Sequence, residues 1–354
     1  MKRILVLCLA ACLLLSGCAS FFDGRYVSVT PHQAQSGQSG QAPVQATDYS
    51  SLLSALQNLA ESGQKSGIIY IPRYDQNRIE DDIKNAVDNV TQNNPIAAYA
   101  VDTVSWELGT NNGQNAVAVN ITYIHDQTEI RKIRKVKNLE DAKEVIHGQL
   151  NNCATGAVLF VENYVETDFA QLVEDYAFHN PHLVMESPDV TVNTYPRFGG
   201  KRVVELKFTY QNSRDALRKM AEEVSPVFAA AALYVSGDAR DYEKYSQLYS
   251  FLTERYDYRL NTSITPAYSL LRHGVGDARA FATVYAAMCR EAGLVCEVIS
   301  GTRWGEPWTW NVVYDEGYYF HVDLLYSKER GYFEEWTGKE MSGYVWDYSV
   351  YPIN

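Results

Sequence analysis

One pattern occurs twice in the front half of the chain, and a duplicated pattern restricts the fold to something each copy can build. The run GIIYIPRY at 67–74 returns as GAVLFVENY at 156–164. Each is an apolar, strand-like stretch that begins at a glycine. An amphipathic helical segment follows each, RIEDDIKNAVDNV and TDFAQLVEDYAF. Each segment stops at Asn-Pro, where proline disfavours helical geometry in the residue before it. Two alternating stretches come next: YAVDTVSWEL with NAVAVNITYIH, and SPDVTVNTYP with RVVELKFTYQN. The connections GTNNGQ and RFGG carry Asn-Gly and Gly-Gly, which are hairpin signals. A charged segment, DQTEIRKIRKVKNLEDAKEVIH or SRDALRKMAEEV, is then expected to close each unit as a helix. Thr122-Tyr123 and Thr209-Tyr210 fall at matching places, so the period is about 87 residues. The expectation is two tandem βαββα-like repeats, at 49–147 and 148–224. Neither carries a chemical signature. His125, His147, His179 and His182 have no partner at a telling spacing, and RKIRKVK reads as a solvated helix face.

The first residues point to a compartment. Lys2 and Arg3 precede an apolar run, Ile4 to Leu15, too short to span a bilayer as a mature helix. Leu15-Ser16-Gly17-Cys18 then closes small residues on a cysteine, the form of a secretory leader. It resembles the lipobox of bacterial lipoproteins. That resemblance implies a signal peptide at 1–18, cleavage before Cys18, and lipid on Cys18. The protein would then be held at the extracytoplasmic face of a bacterial cell membrane through its N-terminal lipid. Residues 19–48 read as a flexible linker. PHQAQSGQSGQAPVQAT has no apolar run that could offset its ordering entropy.

Charge and cysteine usage exclude some classes. The formal net charge is −12, and nucleic-acid binding needs basic patches, so no nucleic acid is expected. Of six cysteines, Cys8 and Cys12 lie in the leader and Cys18 at its end. Cys153, Cys289 and Cys296 remain, which is no disulfide framework, although Cys289 and Cys296 could pair after export. No cysteine pair has zinc-ligand spacing and the seven histidines are scattered. No metal and no cofactor are expected.

From about 225 the pattern changes. YEKYSQLYSFLTERYDYRL is a helix with a Tyr/Leu/Phe stripe. TPAYSLLRHGVGDARAFATVYAAMCREAGL holds a short helix, a glycine-rich turn and a long helix, ended at Gly293 as a left-handed C-cap would end it. VCEVISGTRW is a strand and TWNVVYDEGYYFHVDLLY a hairpin. In order, these landmarks resemble the transglutaminase-like superfamily, which has a papain-like fold. The resemblance covers roughly 240–330. It implies an α+β fold in which residues 225–354 form a transglutaminase-like domain behind the two repeats.

Residue by residue, the resemblance implies a cysteine at Ala278, because Phe281-Ala282 fix the register. It implies a histidine at Trp308, because Trp310-Asn311 fix that one, and an aspartate at Asp323, which is present. Leu325 and Tyr326 stand where the family usually has Thr and Trp. A methyl group has no lone pair, and an indole N–H donates without accepting a proton. Asp323 would have no imidazole to orient. The domain is therefore expected to be a pseudoenzyme with no catalytic residues. It would bind or scaffold at the cell envelope, taking a protein, peptide or cell-wall glycan. Trp304, Trp308, Asp323 and Tyr326 are the expected ligand-binding residues, since tryptophan is favoured at recognition sites; the plainer reading is that the indoles plug a dead cleft. The alternative is an amide- or peptide-processing hydrolase or transferase with displaced catalytic residues, for which Cys289, His321 with Asp323, or His273 with Asp277 would be sought. Two or more polar side chains converging on an open groove near Ala278 would favour that alternative.

Overall fold

A computed structural model describes residues 44–260 and 264–353. The leader, Cys18 and the linker before residue 44 lie outside the described residues. Residues Val44–Asn354 form a single compact unit.

Its first body begins with α1 (Tyr49–Glu61), which starts at Asp48 through a capping box with Ser51. β1 (Ser66–Tyr70), α2 (Ile79–Asn93), α3 (Pro95–Ala100), β2 (Val101–Asn111) and β3 (Gln114–Tyr123) follow. The strands pair antiparallel in the order β1-β3-β2. The β2–β3 hairpin turns on Asn112-Gly113, both at positive φ, the two-residue geometry that Asn-Gly favours. Leu52, Leu56, Ile69, Ile83, Val117 and Val119 fill the core between helices and sheet.

The segment 126–147 departs from the sequence expectation. It forms α4 (Gln127–Ile130), β4 (Arg134–Val136) and the start of α5 (Leu139–Asn151). Two caps divide it. Asp126 and Glu129 close a capping box around α4, and the Asn138 side chain accepts the Asp141 N–H to begin α5 afresh. RKIRKVK is thus no helix face. β5 (Gly156–Val161), α6 (Phe169–His179), β6 (Asp189–Tyr195) and β7 (Arg202–Thr209) complete the second body, with strand order β4-β5-β7-β6. Apart from the extra helix α3 before β2, the element order α1-β1-α2-β2-β3 has its counterpart in α5-β5-α6-β6-β7. The strand order β1-β3-β2 likewise matches β5-β7-β6. In each set a helix leads the first strand, and the closing helix expected over SRDALRKMAEEV also follows β7. α5 runs across residue 147, and the next helix, α7 (Arg214–Tyr234), runs across residue 224; both expected boundaries fall inside helices.

After α7 come α8 (Asp241–Thr253), β8 (Asp257–Tyr258), α9 (Pro266–His273), β9 (Val275–Gly276), α10 (Ala278–Glu291), β10 (Cys296–Arg303), β11 (Glu306–Asp315), β12 (Tyr318–Val322), α11 (Leu324–Arg330) and β13 (Tyr344–Val345). The sheet order is β12-β11-β10-β13. Helix α10 is the core element. Ala278 and every residue from Ala280 to Cys289 are buried, so the helix has protein on all sides, as an all-round apolar helix requires. It stops at Gly293, at φ +76°. Asn311 ties it to the sheet, its Nδ2 donating to the Ala282 and Glu297 carbonyls at 2.9 and 3.3 Å. Gly301 lets the edges close, because a Cβ there would run into the Val345 carbonyl and the Trp310 ring. Helix α6 of the second body packs on α10. The Arg279 guanidinium lies 5.0 Å from the Phe178 ring centre, and Arg290 donates to the His179 carbonyl. This contact gives the cleft described next its second wall.

Candidate functional site

Asp277 starts α10, its carboxylate accepting the Ala280 N–H at 2.8 Å. Ala278 is the first helical residue and presents a methyl group, 7% exposed, to a cavity of about 530 Å³. Trp308, on β11 opposite Gly301, lines the same cavity, together with Tyr258, Phe178 and Arg279. The Tyr258 and Trp308 rings are 5.8 Å apart. The far wall is α6, which contributes Gln171, Glu174 and Asp175.

Behind Trp308 stands Asp323, 2% exposed. Its Oδ2 accepts the Trp308 indole N–H and the Tyr344 hydroxyl, each at 2.7 Å. Its Oδ1 accepts the backbone N–H groups of Leu325 and Tyr326 at 3.0 and 3.1 Å, so it also caps α11. The Arg303 guanidinium comes within 3.9 Å of Oδ2 and pairs with Glu329 at 3.2 Å. It lies over the rings of Trp308, Tyr326 and Tyr344 at 5.2, 4.8 and 5.8 Å. Burial, then the neighbouring Asp323 charge, drives the Tyr344 hydroxyl well above the usual phenol range, so it is a fixed donor. The structure thus gathers Ala278, Trp308 and Asp323 at one place, as the register implied. The bond that aspartate would make to an imidazole N–H is made to an indole N–H.

The other expected residues are not brought in. Trp304 sits at φ +54° in the Trp304-Gly305 turn between β10 and β11, 71% exposed, its ring over the Gly343 backbone and outside the cavity lining. Tyr326 meets Trp336 at a tilt, ring centres 5.1 Å apart, outside the cavity lining. His321 is a core residue, its Nδ1 accepting the Trp310 indole N–H at 3.1 Å. Burial lowers it to about 4. His273 stands exposed at the end of α9 with its ring edge-on to Tyr268, away from the lining. Cys289 is fully buried and burial pushes its thiol far up, which makes it inert. Cys153, Cys289 and Cys296 are free thiols, so the Cys289–Cys296 pairing is not made. Among the described residues no histidine, cysteine and carboxylate cluster could hold a metal. Gln171, Glu174 and Asp175 escaped the sequence reading. On an amphipathic helix they look like any solvated face; they are still exposed, and only the docking of α6 on α10 makes that face the border of a cavity.

Residues 229–324 match the family model of the transglutaminase-like superfamily. The chain carries a transglutaminase-like domain. All three positions above, Ala278, Trp308 and Asp323, lie in its matched span. No curated protein matches the chain. Among solved structures the chain is similar to a TGase (12% identity, 55% of this chain, 59% of that one, TM-score 0.27). It is similar also to a candidate cysteine protease from Cytophaga hutchinsonii (12%, 46% and 69%, TM-score 0.26). A third is a candidate protease from Parabacteroides distasonis (10%, 72% and 39%, TM-score 0.24). The chain thus spans less than two thirds of the first and third of these. At such TM-scores these likenesses add no argument to the family match.

Two outcomes follow from this geometry. Asp323→Ala removes the acceptor of four donors and leaves the half-buried Arg303 with Glu329 alone, so unfolding free energy in urea should fall by roughly 3–5 kcal/mol; a loss below about 1 kcal/mol would show that the carboxylate is not holding this region. The second outcome concerns pH. His321 is held neutral, so the unfolded chain takes that proton first, and its contribution is complete above about 6.5 and lost as pH falls to about 4. Glu335 acts in the opposite sense: burial, then Asp315 and Glu316, raise it to about 7, so its contribution is lost as pH rises from about 4.5 to 7. The two oppose each other in the wild type. The stability difference between wild type and His321→Gln should therefore widen by roughly 3 kcal/mol from pH 4 to 6.5. A difference independent of pH would contradict the buried, neutral ring.

Proposed function

We propose that the protein is a lipid-anchored envelope protein whose transglutaminase-like domain binds a ligand in its cleft and performs no chemistry on it. The observation that carries this reading is the bond from the Trp308 indole to Asp323, beside the Ala278 methyl group. A thiol enzyme needs a thiolate and a base to form it. Here the first position has no heteroatom, and the second has a donor already committed to the aspartate. The cavity nevertheless stays open, and its lining suits recognition. Tyr258, Trp308 and Phe178 offer aromatic surface. Glu174, Asp175 and Asp277 outnumber Arg279. Such a lining favours a peptide that carries a basic side chain or free amine.

The probes are soluble cell-wall muropeptides, the same fragments with acetylated amines, and peptide-free glycan strands, titrated calorimetrically. Binding of muropeptides should weaken about tenfold, ~1.4 kcal/mol, on amine acetylation or in Glu174→Gln with Asp175→Asn. Equal binding of peptide-free glycan would make the ligand a glycan instead; binding of none would remove the cleft reading.

One observation favours the enzyme alternative: polar side chains, among them Asp277 and Glu174, converge on the groove near Ala278. Against it, one Asp277 oxygen is engaged as the helix cap. Robust amide hydrolysis by the wild-type chain, lost in Asp277→Asn or Glu174→Gln, would replace the binding reading. The binding reading expects no turnover, and none lost on alkylating cysteines.

The anchor rests on the Leu15-Ser16-Gly17-Cys18 pattern. No helix among the described residues is long and apolar enough to cross a membrane, which is compatible with a lipid anchor. Cys18→Ser should leave the protein unprocessed or move it out of the membrane fraction; unchanged processing and retention would remove the anchor.

A further inference from the structure

A second cavity, of about 400 Å³, lies where the first body meets the second. Tyr99 and His125, stacked at 4.1 Å, line it from the first body. Gln149, Thr155 and strands β5 and β7 line it from the other. Lys132, Arg134 and Lys207 bring three cations to its lining, against the carboxylates of Glu129 and Glu205.

Glu205 has a cationic partner, while Glu129 is held by a backbone N–H and an imidazole. Glu129 accepts the Asp126 N–H at 3.0 Å and faces His125 at 3.6 Å. Glu205, buried at 6% exposure, holds Lys207 at 3.3 Å and accepts from Asn193 at 3.1 Å. Lys132 and Arg134 are exposed, and among the described residues neither has a carboxylate within ion-pair distance. They belong to a run, Arg131 to Lys137, with five exposed basic residues, none of them ion-paired among the described residues. This lies in a chain of net charge −12. Five exposed cations within seven residues, bordering a concavity, make a local field of opposite sign to the net charge of the whole. The split of segment 126–147 produces it: β4 carries Arg134 to the sheet edge beside β5, and the turn after α4 carries Lys132 to the mouth.

We infer that this cavity binds a phosphate-bearing anion. Lys132 and Arg134, neither ion-paired among the described residues, leave the lining net cationic and give phosphate oxygens two cationic groups to meet. The arginine supplies the planar fork suited to phosphate oxygens, and the lysine a mobile point charge. The volume is that of a small-ligand pocket. The source of the phosphate is either the free ion or a glycerophosphate headgroup, and two arms separate them.

The test is equilibrium dialysis of the full chain in non-ionic detergent at constant ionic strength, with inorganic phosphate in one arm and glycerol 3-phosphate in the other. Phosphate should saturate one site with Kd at or below about 1 mM. Lys132→Gln with Arg134→Gln should weaken this at least about tenfold, while Arg131→Gln with Lys135→Gln, in the same run but outside the lining, should change it less than about twofold. Tighter binding of glycerol 3-phosphate assigns the site to a headgroup; tighter binding of phosphate assigns it to the free ion. Absence of saturable binding in both arms, or equal loss in the two double variants, overturns the proposal.

Discussion

A carboxylate taken out of water must be surrounded by donors, and much of the C-terminal half is arranged to meet that need at Asp323. Two backbone N–H groups reach one oxygen because α11 starts there. The other oxygen draws a hydroxyl from Tyr344, just where β13 begins, and an indole from β11. Arg303, at the end of β10, is brought in over three aromatic rings to balance the charge. The β10–β11 hairpin, the start of α11 and β13 are thereby held at one point. Replacing one donor by a group that cannot donate would leave the charge short, which is why a tryptophan can stand at that position where most residues could not.

That substitution separates geometry from chemistry. The indole satisfies the aspartate as an imidazole N–H would, so the architecture of the site persists. It offers nothing on its other side for a proton. The start of α10 borders the cavity, and Asp277 takes up the Ala280 N–H there. The walls of the cleft are fixed by structural interactions. On the proposed binding reading, its properties toward a ligand come from shape, aromatic surface and charge.

The charge comes largely from outside the transglutaminase-like match. Glu174 and Asp175 lie on α6 of the second α/β body, held against α10 by the Arg279–Phe178 and Arg290–His179 contacts. One of the front bodies therefore supplies a wall of the cleft. The same docking logic recurs at the junction of the first and second bodies, where a basic run that looked solvated borders a second cavity.

Local signals were legible in the sequence wherever their cause was local. Asn112-Gly113 makes its hairpin turn because both residues tolerate positive φ. Gly293 ends α10 for the same reason, and the register of Ala278, Trp308 and Asp323 could be counted from neighbouring landmarks. The helix expected across 126–147 failed because two caps, at Asp126 and Asn138, outweigh helical composition, and a cap is decided by one side chain against one N–H. Trp304 and Trp308 are chemically alike and close in sequence, yet one lies on a turn over Gly343 and the other donates to Asp323. No periodicity distinguishes them. Their partners lie 39 and 15 residues away, and only tertiary packing decides which surface each ring meets. The roles of α6 and of Lys132 and Arg134 were decided there too, because a helix face or a charged run has no meaning for a ligand until another body is laid against it.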